Sequence, residues 1–245
     1  MRTPFEIGVL ALLLVGYPLF AFFVWWPRWR GVLASGEPGS RPQVYTSIVG
    51  YEWLLSGLAV AAALSAHRAP ADLGLVLRPG LPLWSGFGIC AALAYFLWKQ
   101  AGAVARKPAA QAKVRAEIAK VGDAMHLLPR TPGEMRGFAG LSLTAGICEE
   151  LLWRGYAAFV LSAWMPAPAA LLLACVSFGF SHSYQGPTGA TRAGLVGVVM
   201  SALYLGSGSI VPPMLFHAIL DVGSGLTVYL ATRDGGRTEV AGAQA

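Results

Sequence analysis

Long apolar runs dominate this sequence and constrain its fold more than any other feature. Of its 245 residues, 56% are hydrophobic and only 12% are charged, against roughly 25% charged residues in an average soluble domain. A helix needs about 20 apolar residues to cross a bilayer. Seven runs approach or exceed that length, at residues 4–26, 44–66, 81–104, 137–164, 168–180, 189–205 and 210–231. The sequence therefore predicts an all-α, polytopic transmembrane helix bundle with about seven spans.

The rest of the chain divides into loops and a tail. Residues 1–245 are expected to form a single membrane domain, ending in a polar, Gly-rich tail at 232–245 that is expected to be disordered. The longest and most charged loop, 105–136, repeats apolar residues at helical spacing, at Val114, Ile118, Val121 and Met125. This pattern predicts an amphipathic surface helix that lies on the cytoplasmic headgroups. The helix would connect two spans, with its basic residues on anionic lipid. A gate over a lateral entrance is the less favoured interpretation.

The positive charges indicate membrane topology. The formal net charge of +6 could suggest a nucleic-acid partner, but the cations lie in the loops between spans, so no nucleic-acid binding is expected. Their uneven distribution predicts a multi-pass protein of the cell inner membrane with its N-terminus outside and its C-terminus cytoplasmic. The three cysteines, an odd number without metal-ligand spacing, are interpreted as packing residues.

Two adjacent glutamates and an arginine interrupt the fourth apolar run. Burying a charge in hydrocarbon is costly unless the charge is paired or solvated. Glu150 and Arg154 are four residues apart and share a helical face, so they could form an ion pair. Glu149 lies about 100° around the helix, away from the arginine, and could act as a general base. A purely structural Glu–Arg pair explains this segment alone equally well.

Two further polar pairs occur at the same spacing, Phe178 with His182 and His217 with Asp221. A lone histidine in an apolar segment is usually a packing residue, but several polar residues in separate spans indicate a functional site. A glutamate and a histidine can deprotonate one water, while a second histidine stabilises the oxyanion. His182 and His217 are expected near opposite ends of their spans, so the motifs meet only if helices are broken or tilted.

The first three spans are expected to be scaffold. Glu52 is the one ionisable residue interpreted as buried there, and it lies near the start of its run. A carboxylate close to the membrane interface more often reaches water than faces a site. Glu52 is therefore expected to reach water.

The ordered set of motifs resembles the CPBP family, which groups CAAX prenyl endopeptidases of the Rce1 type with bacteriocin-processing and bacteriocin-immunity (Abi) proteins. The resemblance covers residues 128–230, the expected catalytic core. Each motif alone is weakly specific, whereas the three in this order are strongly so. They are Glu149-Glu150-x-x-x-Arg154, Phe178-x-x-x-His182 and His217-x-x-x-Asp221.

The resemblance implies an intramembrane endopeptidase of glutamate type, in which Glu149 and His182 activate the water. It implies that His217 and Asp221 form the oxyanion side, and it gives supporting roles to Glu150, Arg154 and Phe178. Some relatives have Asn where this chain has Asp221. An ionised Asp cannot donate a hydrogen bond to an oxyanion, so Asp221 could instead orient His217.

The family has also been described as metal-dependent. A zinc ion held by Glu149, His182 and His217 is the minority interpretation, because the sequence lacks His-Glu-x-x-His and the ligands would come from three helices. No cofactor is therefore expected.

The expected partners are the lipid bilayer and a membrane-associated protein or peptide substrate. The alternative is a non-catalytic role in bacteriocin immunity or membrane-protein binding. A proton-relay transporter is less favoured, since no inverted repeat is found.

Overall fold

The computed structural model describes residues 1–120 and 122–233, and this part of the chain contains helices and loops but no strand. The all-α prediction is confirmed. The longer helices are α1 (Pro4–Ala34), α2 (Ser40–Ser65), α3 (Leu81–Arg106), α4 (Pro108–Ile118), α5 (Pro132–Glu149), α6 (Ala167–Ser181), α7 (Gly186–Ser207) and α8 (Val211–Thr232). Short 3-10 helices lie at Pro70–Leu73, Gly122–Leu127 and Ser183–Gln185.

Wider, π-helical segments occur within α1 and directly after α5. In α1 these are Leu12–Gly16 and Ala21–Trp25, and each contains the carbonyl four residues before a proline, Pro18 or Pro27. A proline ring clashes with that carbonyl and donates no hydrogen bond, which a local widening relieves. The π-helical segment Glu150–Ala157 follows α5 directly and leads into a last turn, Ala158–Leu161. It contains no proline, so its widening has another origin.

Five helices of the described ranges are long and apolar enough to cross a membrane: α1, α2, α3, α7 with its preceding 3-10 turn, and α8. The chain is a multi-pass membrane protein. The predicted count of seven spans is not confirmed. Residues 132–161, although continuously helical, carry the charged side chains of Glu149, Glu150 and Arg154, and α6 has only 15 residues.

The long loop contains a helix, but a shorter one than the apolar pattern predicted. Helix α4 includes Val114 and Ile118, whereas Met125 belongs to the 3-10 helix Gly122–Leu127 and Val121 lies outside the described residues. The Arg115 Nη1 donates to the Ala231 carbonyl over 2.8 Å, which ties α4 to the end of α8. A position of α4 on lipid headgroups remains a prediction. Of the predicted disordered tail, residues 234–245 also lie outside the described part.

Helix α8 packs against both α3 and α5, and α5 packs against α2, while α6 and α7 pack together. At the α5–α8 contact, a Cβ added to Gly146 would lie 2.7 Å from the Met214 carbonyl oxygen and 2.9 Å from the Ala218 nitrogen. Small residues let membrane helices approach this closely. Gly146 therefore sets the distance between the helices that carry Glu149 and His217.

The expectation that Glu52 is the one buried ionisable residue of the first three spans is wrong. Glu6 is fully buried, and its carboxylate accepts from the Arg68 Nε over 2.8 Å. The Tyr156 hydroxyl donates to the Glu6 backbone carbonyl over 2.9 Å. Arg41 is buried as well, and its Nε donates to the His126 carbonyl over 2.8 Å. These tertiary partners offset the cost of burial. The Tyr156 bond also docks α1 onto the π-helical segment after α5.

The Gly146→Ala substitution should destabilise the protein. Alanine gains up to about 1 kcal/mol of helix propensity over glycine. Overpacking against backbone atoms costs about 1–3 kcal/mol, and here it dominates because α8 must shift. Thermal unfolding in detergent should show a lower Tm. The control is Gly140→Ala in the same helix, where an added Cβ meets nothing within 4 Å. Equal Tm values for the two variants would refute the close contact.

Candidate active site

One cavity of about 510 Å³ gathers side chains from all three motifs. Residues from α5, the end of α6 and α8 line it, together with aromatic side chains of α1 and α2. Five of the seven residues predicted for the site are among them: Glu149, Phe178, His182, His217 and Asp221. The other two, Glu150 and Arg154, do not line this cavity and are buried behind it.

Glu150 and Arg154 form the ion pair that their spacing allows. The Arg154 Nη1 donates to the Glu150 Oε1 over 3.0 Å, and neither side chain is exposed. The Arg154 guanidinium also lies 4.6 Å from the centroid of the Phe178 ring, a cation–π contact. The pair therefore connects the first motif to the second.

His217 lies between the two adjacent glutamates. Its Nδ1 is 2.9 Å from the Glu150 Oε1, and because an ionised carboxylate only accepts, this ring nitrogen carries the proton. Its Nε2 is 3.6 Å from the Glu149 Oε2 and 3.6 Å from the Asp221 Oδ2, separations that a water could bridge. Glu150 rather than Asp221 thus orients the imidazole, and Asp221 lies on the cavity side of the ring.

His182 follows the last residue of α6 and is fixed by the backbone. Its Nδ1 is 2.9 Å from the Phe178 carbonyl oxygen and 3.1 Å from the Ser181 Oγ. Since a carbonyl oxygen only accepts, Nδ1 carries the proton. The Nε2 of a neutral His182 is therefore a proton acceptor.

Phe178 separates the two imidazoles and contacts both. Its ring centroid is 4.6 Å from that of His182 and 6.1 Å from that of His217. On another side it packs edge-on against Trp153, at 5.4 Å between centroids. Phe178 thus forms an apolar wall that fixes the separation of the histidines.

Glu52 belongs to the same cavity, which the sequence analysis missed. Its side chain is 3% exposed and lines the cavity with Glu149 and Asp221. The expectation that it reaches water is therefore wrong. Ser56, four residues later, is also buried. Glu52 and Ser56 form a polar pair at helical spacing in a largely apolar run. This pair was the signal that could have shown that this face of α2 is buried against other helices.

The described residues contain no group of three or more His, Cys, Asp or Glu side chains arranged to hold a metal ion. The zinc ion considered for Glu149, His182 and His217 has no preformed ligand set in this geometry.

Fold and cavity together define a class: a multi-pass membrane protein with acidic and imidazole side chains buried among its helices. Within that class, a family model described as type II CAAX prenyl endopeptidase Rce1-like matches residues 132–223, the segment with all three motifs. The match confirms the resemblance over this segment, which is similar to that protease family. No curated protein and no solved structure matches the chain.

The Arg154→Met substitution should destabilise the protein strongly. Removing one partner of a buried ion pair costs about 3–5 kcal/mol. The double variant Glu150→Gln with Arg154→Met should recover part of this loss in thermal unfolding, because a neutral amide still accepts from His217. The control is Lys120→Met, which breaks the exposed pair with Glu117 at 2.7 Å and should leave the Tm nearly unchanged. Equal Tm values for Arg154→Met and Lys120→Met would contradict a buried pair.

Proposed function

We propose that the protein is a glutamate-type intramembrane endopeptidase that hydrolyses a peptide bond in or near a membrane-associated segment of a protein substrate. The observation that carries the proposal is the meeting of Glu149, His182 and His217 at one cavity. These residues come from α5, from the turn that ends α6 and from α8, and a packing role for each would not require them to meet.

The proposed first step is attack by water. Glu149 and the Nε2 of His182 hold one water molecule, and Glu149 takes its proton while the oxygen attacks the scissile carbonyl carbon. When the carbon–nitrogen bond breaks, the same proton passes to the leaving nitrogen. The products are a carboxylic acid and an amine, which become a carboxylate and an ammonium when the acid proton passes to the amine. No covalent enzyme intermediate forms.

The proposed oxyanion partner is His217. With both ring nitrogens protonated, its Nδ1 donates to Glu150 while its Nε2 donates to the negative oxygen. The Nε2 lies 3.6 Å from both Glu149 and Asp221, too far for a direct hydrogen bond, so its proton is available to such a ligand. In this proposal Asp221 stabilises the charged imidazole and does not donate to the substrate.

The surroundings of the cavity support an apolar or membrane-associated substrate. Its lining includes Tyr17, Phe20, Trp25, Tyr51 and Phe138 beside the polar side chains. The family name refers to CAAX prenyl endopeptidases, so prenylated C-terminal peptides belong among the substrates to be tested. We further propose an inner-membrane location with a cytoplasmic C-terminus, since the cations concentrate in one set of loops.

The Glu149→Gln substitution should abolish proteolysis, because the amide cannot accept the water's proton. The measurement compares protein termini in membranes of cells that express either the wild type or the variant. Termini near hydrophobic segments should be present with the wild type alone, and they identify the substrate. A reduction of about 100-fold or more is expected from loss of a general base.

The control for this comparison is Glu37→Gln, a substitution of the same type at an exposed loop residue outside the cavity. Its termini should match those of the wild type. Identical termini for Glu149→Gln and wild type, with the variant folded and its cellular phenotype intact, would reject proteolysis in favour of the binding or immunity role.

A further inference from the structure

Glu52 is the carboxylate of the cavity without a charged partner. Glu149 and Asp221 both lie within 4 Å of the imidazole of His217. No cationic side chain of the described residues lies within that distance of Glu52, and the charges that act on it most are the like charges of Glu149 and Asp221. In this setting the ionised form of Glu52 is costly, and a cationic group bound beside it would offset that cost.

One oxygen of the Glu52 carboxylate also lacks a hydrogen-bond donor. The Glu52 Oε2 is buried and has no hydrogen-bond partner. Buried polar atoms of natural proteins are almost always hydrogen-bonded. An unpartnered oxygen on a buried side chain that lines the cavity indicates that Glu52 receives a polar group from a ligand.

The charge and lining of the cavity specify which group fits. Its described lining includes three carboxylates, the imidazoles of His182 and His217, and one arginine, Arg192, which is exposed and therefore lies toward the opening. The aromatic rings of Tyr17 and Tyr51 line the same cavity, and aromatic faces attract cations. Around Glu52 the charges that act most are those of Glu149 and Asp221, so a cationic nitrogen would be attracted there and an anionic group repelled.

We propose that Glu52 is a specificity-determining residue that binds a cationic nitrogen of the substrate. This inference rests on the proposed peptidase function. Two sources share the chemistry: a Lys or Arg side chain beside the scissile bond, or the α-ammonium of the peptide released on the amine side of the cut. In either case the ionised Glu52 carboxylate accepts a hydrogen bond from the nitrogen.

The experiment measures binding in the Glu149→Gln background, so that no probe is cleaved. Purified protein in nanodiscs is titrated with three peptides: acetyl-Leu-Lys-Leu-amide, Leu-Leu-Leu-amide with a free α-amine, and the neutral acetyl-Leu-norleucine-Leu-amide. At least one cationic peptide should bind on the order of tenfold more tightly than the neutral one, as expected for a hydrogen bond with a charged group. The peptide that gains affinity identifies the source.

Adding Glu52→Gln should abolish this preference without weakening the neutral peptide, while adding Glu37→Gln should leave the preference intact. Equal binding of all three peptides, or a preference that survives Glu52→Gln, would overturn the inference. Because the readout is binding, a protein that cleaves nothing but retains a Glu52-dependent preference would reject the proposed hydrolysis and keep this site.

A second measurement needs no substitution at Glu52. A hydrophobic carbodiimide modifies carboxyl groups in apolar surroundings, and mass spectrometry locates the adducts. The preferred cationic peptide should protect Glu52 at least severalfold more than the neutral peptide does. Equal protection by both peptides would also overturn the inference, even if the Glu52→Gln variant failed to fold.

Discussion

One buried carboxylate oxygen organises the site. The Glu150 Oε1 accepts from the Arg154 Nη1 over 3.0 Å and from the His217 Nδ1 over 2.9 Å. The first bond lies within one helical segment and offsets the cost of burying both charges. The second joins that segment to α8. Neither charge could remain at this depth alone, so the position of His217 depends on the same pair that stabilises the π-helical segment.

Adjacent glutamates have different environments because helix geometry separates neighbouring side chains. Successive residues project about 100° apart, so Glu149 lines the cavity while Glu150 lies behind it. Gly146, one turn before Glu150, allows the backbone of α8 to approach α5 closely. Two identical side chains can thereby serve different purposes: one holds the histidine, and the other lines the cavity.

Local periodicity predicted what lies within one helix and missed what depends on packing between helices. The all-α class followed from the apolar runs, and the spacing of Glu150 and Arg154 allowed the pair that forms. The contact of Glu150 with His217 joins residues 67 positions apart, and no periodic pattern predicts it. Glu52 was misjudged for the same reason, since its place near the start of a run says nothing about which helix covers it.

The short length of α6 explains how His182 and His217 can lie at the same depth in the membrane. His182 and His217 were expected near opposite ends of their spans. Helix α6 has 15 residues and is therefore about 22 Å long, shorter than the roughly 30 Å hydrocarbon core. Its end need not reach a membrane surface, so His182 can lie at the depth of His217. The low dielectric there makes unpaired charges costly, and it also strengthens each hydrogen bond to a developing charge. The hydrogen bond between Glu150 and His217 offsets the cost of burying both side chains. The cavity beside them is thus suited to act on a peptide carbonyl.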